Sequence, residues 1–193
     1  SFTAFRSATA CAQYTNPGPD GAGSGGGPPK LADFANRATM KAIVVGSVES
    51  VEEGPATGSA STLNAQPIES TYRRLIVGTI HVDEALKGGP IQRVAAGAFN
   101  FGGQFVMKPR QPYILFLSAE NASGLGMVPE RSGIPRLRIS GAFCIDATDT
   151  VHSSTKGRIG LAATLLDGTL GPLDGLSMDK ALAEIRRAIS EAK

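Results

Sequence analysis

One stretch, residues 72–89 (YRRLIVGTIHVDEALKGG), constrains the fold of this chain more than any other. Two sets of side chains alternate along it and both are mostly apolar: Leu75, Val77 and Thr79 in one set, Ile76, Gly78 and Ile80 in the other. Because successive side chains of a strand point to opposite faces, neither face is a plain solvent face. The stretch therefore predicts a strand inside a closed or covered sheet. Gly78 indicates the bend at which a small barrel turns a corner.

The composition favours a β-dominated domain and excludes two other classes. The chain has 24 Gly and 12 Pro among strands rich in Val, Ile and Thr, which is typical of many turns and short strands. A hydrophobic fraction of 41% excludes a disordered chain, and a net charge of +2 excludes a strongly basic nucleic-acid binder. At 193 residues the chain fits one domain with an appendage.

The pattern divides the chain into three parts. Residues 1–29 form an N-terminal extension that ends in a Gly/Pro-rich linker, residues 30–150 a β-barrel, and residues 151–193 a C-terminal segment. A short amphipathic helix is predicted over residues 30–39. Residues 54–70 are predicted as a long polar loop, either mobile or functional. Besides the strand of residues 72–89, the predicted strands are residues 41–52, 91–99, 101–106, 111–119, 127–129 and 136–145.

The C-terminal residues 176–192 are predicted as an amphipathic helix. Ser177 is expected to cap it and Asp179 to lie favourably in its first turn. One apolar stripe runs along the helix and consists of Met178, Leu182, Ile185 and Ile189. A stripe of this width predicts a packing helix that docks on one end of the barrel.

Two cysteines, Cys11 and Cys144, lie far apart and lack the paired spacing of metal sites. We expect a disulfide between them, with two unrelated buried thiols as the alternative. A disulfide implies an oxidising compartment. No apolar run reaches the roughly 20 residues needed to span a bilayer, and the N-terminus lacks the apolar core of a signal peptide. The chain is therefore expected to be extracytoplasmic, with its signal peptide already removed.

Motifs that carry chemistry are few. His81 and His152 are too few for a catalytic zinc site. His81 lies beside Asp83 and Glu84, which allows a carboxylate-oriented imidazole, although a solvated histidine at the end of a strand is the favoured interpretation. A Cys144 nucleophile would require a free, partly exposed thiol, whereas its neighbours resemble a strand interior.

Other patterns are weaker still. S-x-x-K occurs at residues 153–156 and 177–180 without the companion motifs of acyl-enzymes. Asp146 with Asp149, and Asp167 with Asp174, lack the spacing of a calcium loop and are interpreted as turn residues. A basic set could bind nucleic acid, but only Tyr72 and Phe105 are interleaved with it. The set is Arg73, Arg74, Lys108, Arg110, Arg136 and Arg138.

The order of the elements resembles the netrin-like, or tissue-inhibitor-of-metalloproteinase-like, superfamily of OB folds, most closely its uncharacterised extracytoplasmic bacterial members. The motifs that carry the resemblance are ANRATMKAIVVGSV, VDEALKG and YILFL, together with the early Cys11 and the terminal helix. The resemblance covers residues 30–145 and the tail. It implies a mainly β fold, a five-stranded Greek-key OB-fold barrel with a short N-terminal helix, a C-terminal packing helix and an N-terminal segment tied by a disulfide.

The resemblance also implies a role in protein binding. The eukaryotic inhibitors chelate a protease zinc through an N-terminal Cys in a C-x-C motif, whereas ten residues precede Cys11 and Gln13 replaces the second Cys. We therefore expect a secreted, non-enzymatic protein-binding module without catalytic residues, metal, cofactor or nucleic acid. The alternatives are a metalloprotease-inhibitor-like protein and a hydrolase with Ser153 or Cys144 as its nucleophile.

Overall fold

The computed structural model describes the following residues: 11, 29–57, 62–63, 66–67, 73–101, 107–119, 133–154 and 168–191. Helix α1 (Leu31–Ala35), a 3-10 helix (Gly171–Leu173) and helix α2 (Met178–Ser190) flank the strands. The strands are β1 (Met40–Thr57), β2 (Thr62–Leu63), β3 (Gln66–Pro67), β4 (Arg73–Lys87), β5 (Arg93–Phe101), β6 (Pro112–Ala119), β7 (Arg136–Ile145) and β8 (Val151–Ser153).

Five strands form a barrel in the order β1-β4-β5-β7-β6, and β6 pairs in turn with β1. The pairing of β5 with β7 closes the barrel. This pair is parallel and joins Ala95 to Arg136 and Gly97 to Arg138. The other barrel pairs are antiparallel. This is the Greek-key topology of an OB fold, so the predicted fold class is confirmed.

The barrel strands bury side chains on both faces, as the apolar alternation predicts. One buried cluster fills the interior and includes Val44, Ile80, Val94, Leu115, Ile139 and Ala142. A second cluster lies on the outer side of β1, β6 and β7, which we call the covered wall: Ile43, Val45, Ile114, Phe116, Phe143 and Ile145. Helix α2 packs Leu182 and Ile185 onto this wall. The prediction that the helix docks on a barrel end is therefore wrong, because three strands present apolar side chains outward and need a cover along their length.

The predicted N-terminal helix ends earlier than residue 39, because polar contacts fix its end at Ala35. The Asn36 side chain donates to the carbonyl of Ala32 (3.0 Å) and to that of Ala188 in α2 (2.8 Å). Lys87 Nζ donates to the carbonyl of Ala35 at 2.6 Å. Burial, and to a lesser degree the charge of Lys41, lowers the pKa of Lys87. These hydrogen bonds join α1 to both α2 and β4.

Ser177 occupies the N-cap position of α2, as predicted, but its side chain makes no capping hydrogen bond. The first amide of the helix, that of Met178, donates instead to the carbonyl of Asp149 at 2.6 Å. The backbone of a neighbouring turn thus accepts a hydrogen bond from the N-terminus of the helix, where the sequence predicted a bond to the Ser177 side chain.

Strand β8 forms the edge of the sheet, and the segment before α2 seals that edge. The Val151 amide donates to the Leu176 carbonyl, and the Gly175 amide donates to the Val151 carbonyl. Asp174 Oδ1 accepts the Ser153 amide at 2.8 Å. The exposed hydrogen-bonding groups of an edge strand are thereby paired within the chain.

Two sequence interpretations concern strand β4 and the segment before it. A Cβ at Gly78 would overlap the Met107 methyl group, so Gly78 allows close packing, and the pairing of β4 is regular at this position. Part of the predicted loop 54–70 is strand, since β1 continues to Thr57 opposite Arg73 and β2 pairs with β3. The predicted strand of residues 127–129 and most of that of residues 101–106 lie outside the described residues.

Candidate functional site

The N-terminal extension is joined to the barrel by a disulfide between Cys11 and Cys144, 133 residues apart in sequence. Cys144 is 3% exposed and belongs to the interior cluster, against which Cys11 also packs. A Cys144 nucleophile with a free thiol is therefore incompatible with the structure. The oxidised pair agrees with the expected oxidising compartment.

Two β-bulges meet around His81, on the outer side of β1, β4 and β5. Between Val48 and Ser50 the β1–β4 register skips Glu49, and between Glu84 and Val82 it skips Asp83. A bulge inserts an unpaired residue and re-aims its side chain. Here both unpaired residues carry carboxylates, and both lie next to the same histidine.

The two carboxylates face different nitrogens of the His81 ring. Glu49 Oε1 lies 3.9 Å from Nδ1 and Asp83 Oδ1 lies 3.8 Å from Nε2. Because they approach opposite edges of the imidazole, one metal ion could not contact both carboxylates and the ring together. In the described part of the chain, no group of three or more His, Cys, Asp or Glu residues could hold a metal ion.

Arg93 on β5 holds the Glu49 carboxylate. Its Nε donates to Glu49 Oε2 at 3.0 Å and its Nη2 donates to the same oxygen. Arg93 is paired with His81 across β4 and β5, so three adjacent strands contribute to the arrangement. We call Glu49, His81, Asp83 and Arg93 the charged wall. Their side chains are 34%, 52%, 38% and 51% exposed.

Gly46 allows β1 and β4 to approach each other beneath the charged wall. A Cβ at this position would overlap the carbonyl oxygen of His81. Glycine is therefore required where the two backbones pass, and the close approach fixes the position of His81.

The histidine prediction from sequence was partly right. Asp83 does lie beside the His81 ring, but Glu84 turns to the solvent-exposed Arg186 of α2, which donates to it at 2.6 Å. Glu49 and Arg93 were missed, because they are distant in sequence and reach His81 only through strand pairing. No local signal marks a bulge at Glu49.

A second histidine–carboxylate pair lies at the turn between β7 and β8. His152 Nε2 is 2.7 Å from Asp146 Oδ2, and both side chains are about a quarter exposed, at 24% and 25%. Asp146 Oδ1 accepts the amides of Thr148 (2.8 Å) and Thr150 (3.0 Å) and the Thr148 hydroxyl (2.7 Å). The Thr150 amide, followed by His152 and Thr148, lowers the pKa of Asp146 far below its usual range.

A groove of about 720 Å³ lies between α1, the 3-10 helix and α2, apart from both histidines. Three of the ionic side chains that line it form pairs along one helix, since Arg187 donates to both Glu184 and Glu191. The charged wall instead brings residues of three strands together around His81, so we take it as the candidate site.

The remaining predicted residues that the structure describes do not form a site. Ser153 ends β8, and the partner Lys156 of its S-x-x-K motif lies outside the described residues. Ser177 precedes α2, and Lys180 is exposed on it. Asp149 has a left-handed backbone (φ 59°) and Asp146 organises the same turn, which confirms them as turn residues. Arg136 and Arg138 alternate with the buried Leu137 and point out of the barrel.

No helix in the described ranges has both the length and the apolar character to span a membrane. No protein-family model matches the sequence. A search of curated proteins likewise finds no significant match.

Proposed function

We propose that this chain is an extracytoplasmic, non-enzymatic module that binds another protein through the charged wall. The observation that carries the proposal is the pair of bulges that aim Glu49 and Asp83 at opposite sides of His81. Bulges are frequent next to functional sites, because they change the direction of a side chain while they interrupt the hydrogen bonds between two strands. The covered wall and interior account for the burial of the other strand faces, but not for this arrangement.

The position and charge of the wall support a protein partner. OB folds bind ligands on the face of their second and third strands, which here are β4 and β5. Three carboxylates, those of Glu49, Asp83 and Glu84, face only two guanidinium groups, those of Arg93 and Arg186, and this negative excess would repel a nucleic-acid backbone. The wall is a strand surface rather than an enclosed pocket, which suits a macromolecule better than a small ligand. The disulfide supports an extracytoplasmic location.

The test is an affinity capture from the extracytoplasmic fraction of the source cells with immobilised wild-type protein, followed by mass spectrometry. The Asp83→Lys variant reverses a charge on the wall, and the matched Asp179→Lys variant reverses an exposed charge on α2. We expect a protein retained by the wild type and by Asp179→Lys to be lost with Asp83→Lys. Equal retention by both variants, or no retained protein with the wild type, would contradict the proposal.

A further inference from the structure

The second histidine lies beside the disulfide. In the antiparallel pairing of β7 with β8, Cys144 is directly opposite His152. Side chains of directly opposed residues lie on the same face with Cβ atoms about 4.5–5.5 Å apart. Asp146 follows Cys144 by two residues and is bonded to the same histidine. The register therefore places Cys144 directly opposite a histidine that is bonded to Asp146.

The hydrogen bonds of Asp146 fix the tautomer of the imidazole. The carboxylate is kept ionised by the amides of Thr150 and Thr148, so Nε2 of His152 must be the donor in the bond to Asp146. A carboxylate bonded to one ring nitrogen stabilises the imidazolium that forms.

We propose that the Cys11–Cys144 disulfide is a reversible thiol–disulfide exchange site, in which Cys144 leaves as a thiolate stabilised by the imidazolium of His152. Asp146 acts as a positioning residue that holds this imidazolium. Nucleophile, base and orienting carboxylate are the elements of an activated cysteine. The inference uses residues other than those of the charged wall, so it does not depend on the proposed binding function.

The exchange requires a dithiol as reductant. Its first thiolate attacks Cys11 Sγ, because Cys11 is a partly exposed residue whereas Cys144 is buried. The Cys11–Cys144 bond breaks, a mixed disulfide with Cys11 forms and Cys144 leaves as the thiolate. The second thiol of the dithiol loses its proton to solvent and its thiolate attacks the mixed disulfide. Cys11 is released as a thiolate and the reductant becomes a cyclic disulfide, which balances the two electrons gained by the protein.

Exchange opens the covalent bond between Cys11 and Cys144 of β7. It would therefore control the covalent attachment of Cys11 to the barrel.

The test is a pH titration of thiolate absorbance at 240 nm on the full chain reduced with a phosphine, with circular dichroism as a check of structure. An ordinary cysteine ionises near pH 8.5, and apolar burial alone would raise that value. We expect one thiol of the wild type to ionise at least about one pH unit lower. A Cys11→Ser variant, which leaves only Cys144, should retain the low step.

Variants of the pair make the assignment specific. His152→Gln should return the low step to about pH 8.5 and slow reduction by dithiothreitol roughly threefold for each unit of thiol pKa. Asp146→Asn keeps the imidazole and should give an intermediate titration, while the matched His81→Gln should titrate as the wild type.

Three results would overturn the proposal. They are loss of the fold on reduction, two wild-type thiols that both ionise near or above pH 8.5, and a low step that survives in His152→Gln.

Discussion

The covered wall and the charged wall are two sides of one barrel, and strand β1 contributes to both. On the covered wall its Ile43 is fully buried beneath the helices, together with Phe116 of β6. On the charged wall its Glu49 is unpaired in the ladder and exposed beside His81, which is 52% exposed. Apolar side chains of β1 are packed beneath the helices on one wall, whereas the bulge at Glu49 displays a carboxylate on the other. We therefore assign stability to one wall and recognition to the other.

The largest effect should come from the helix that covers the apolar wall. Ile185 is fully buried, and Ile185→Ala should lower the free energy of unfolding by about 2–5 kcal/mol through lost burial and a cavity. Equilibrium unfolding in urea measures the change. Lys180→Ala on the exposed face of α2 should change stability by less than about 0.5 kcal/mol. Equal costs for both variants would break the comparison.

The next effect concerns the close approach of β1 and β4. Gly46→Ala places a methyl group against the His81 carbonyl, so the strands must separate, at a cost of about 1–3 kcal/mol. Thermal unfolding measures the loss, and the histidine NMR signals should report a displaced His81. Gly171→Ala is the matched control, since its Cβ would meet no atom within 4 Å. A neutral Gly46→Ala would show that the two backbones tolerate separation.

A smaller effect is expected at the margin of the covered wall. Asp146→Asn should lower stability at pH 7 by about 1 kcal/mol, because charge-assisted hydrogen bonds to the turn are weakened. The folded pKa of Asp146 lies below its unfolded value of about 3.9, so this contribution is complete above that pH and is lost on further acidification. Urea unfolding between about pH 3 and 7 should show wild type and variant converging on acidification.

The matched control for this acid effect is Asp83→Asn on the charged wall, whose carboxylate is 38% exposed. A constant difference between Asp146→Asn and the wild type across the range would contradict the role of the ionised carboxylate.

The smallest effect on stability should come from the charged wall itself. Glu49→Gln removes an exposed ion pair with Arg93 and should cost less than about 1 kcal/mol. A double-mutant cycle with Arg93→Gln, read by urea unfolding, should give a coupling of about 0.2–1 kcal/mol. A coupling above about 2 kcal/mol would mean that the wall is a structural element, and the division of roles between the walls would fail.

Strand positions were largely predictable from the sequence. The pattern of residues 136–145 gave the bounds of β7, and the apolar block of residues 111–119 gave β6 within one residue. Both predictions rest on the alternation of side chains, which is a local property of an extended chain. The stripe containing Leu182 and Ile185 likewise predicted α2.

The errors share a physical cause. Residues 54–57 are predicted as part of a polar loop because their composition is typical of turns. Pairing with β4 nevertheless extends strand β1 to Thr57. The sequence predicts that the Ser177 side chain caps α2, yet the Met178 amide donates to the carbonyl of Asp149 in a different turn. In each case a contact distant in sequence replaced the local preference.

By itself the sequence determined the β-rich fold class, the two-sided burial of the strands and the amphipathic tail, because these depend on side-chain periodicity along the chain. Only the tertiary structure decided where the tail packs, that Cys11 is bonded to Cys144, and that Glu49 and Arg93 meet His81. Strand register sets these juxtapositions. Register depends on bulges and long-range pairing, which no local pattern records.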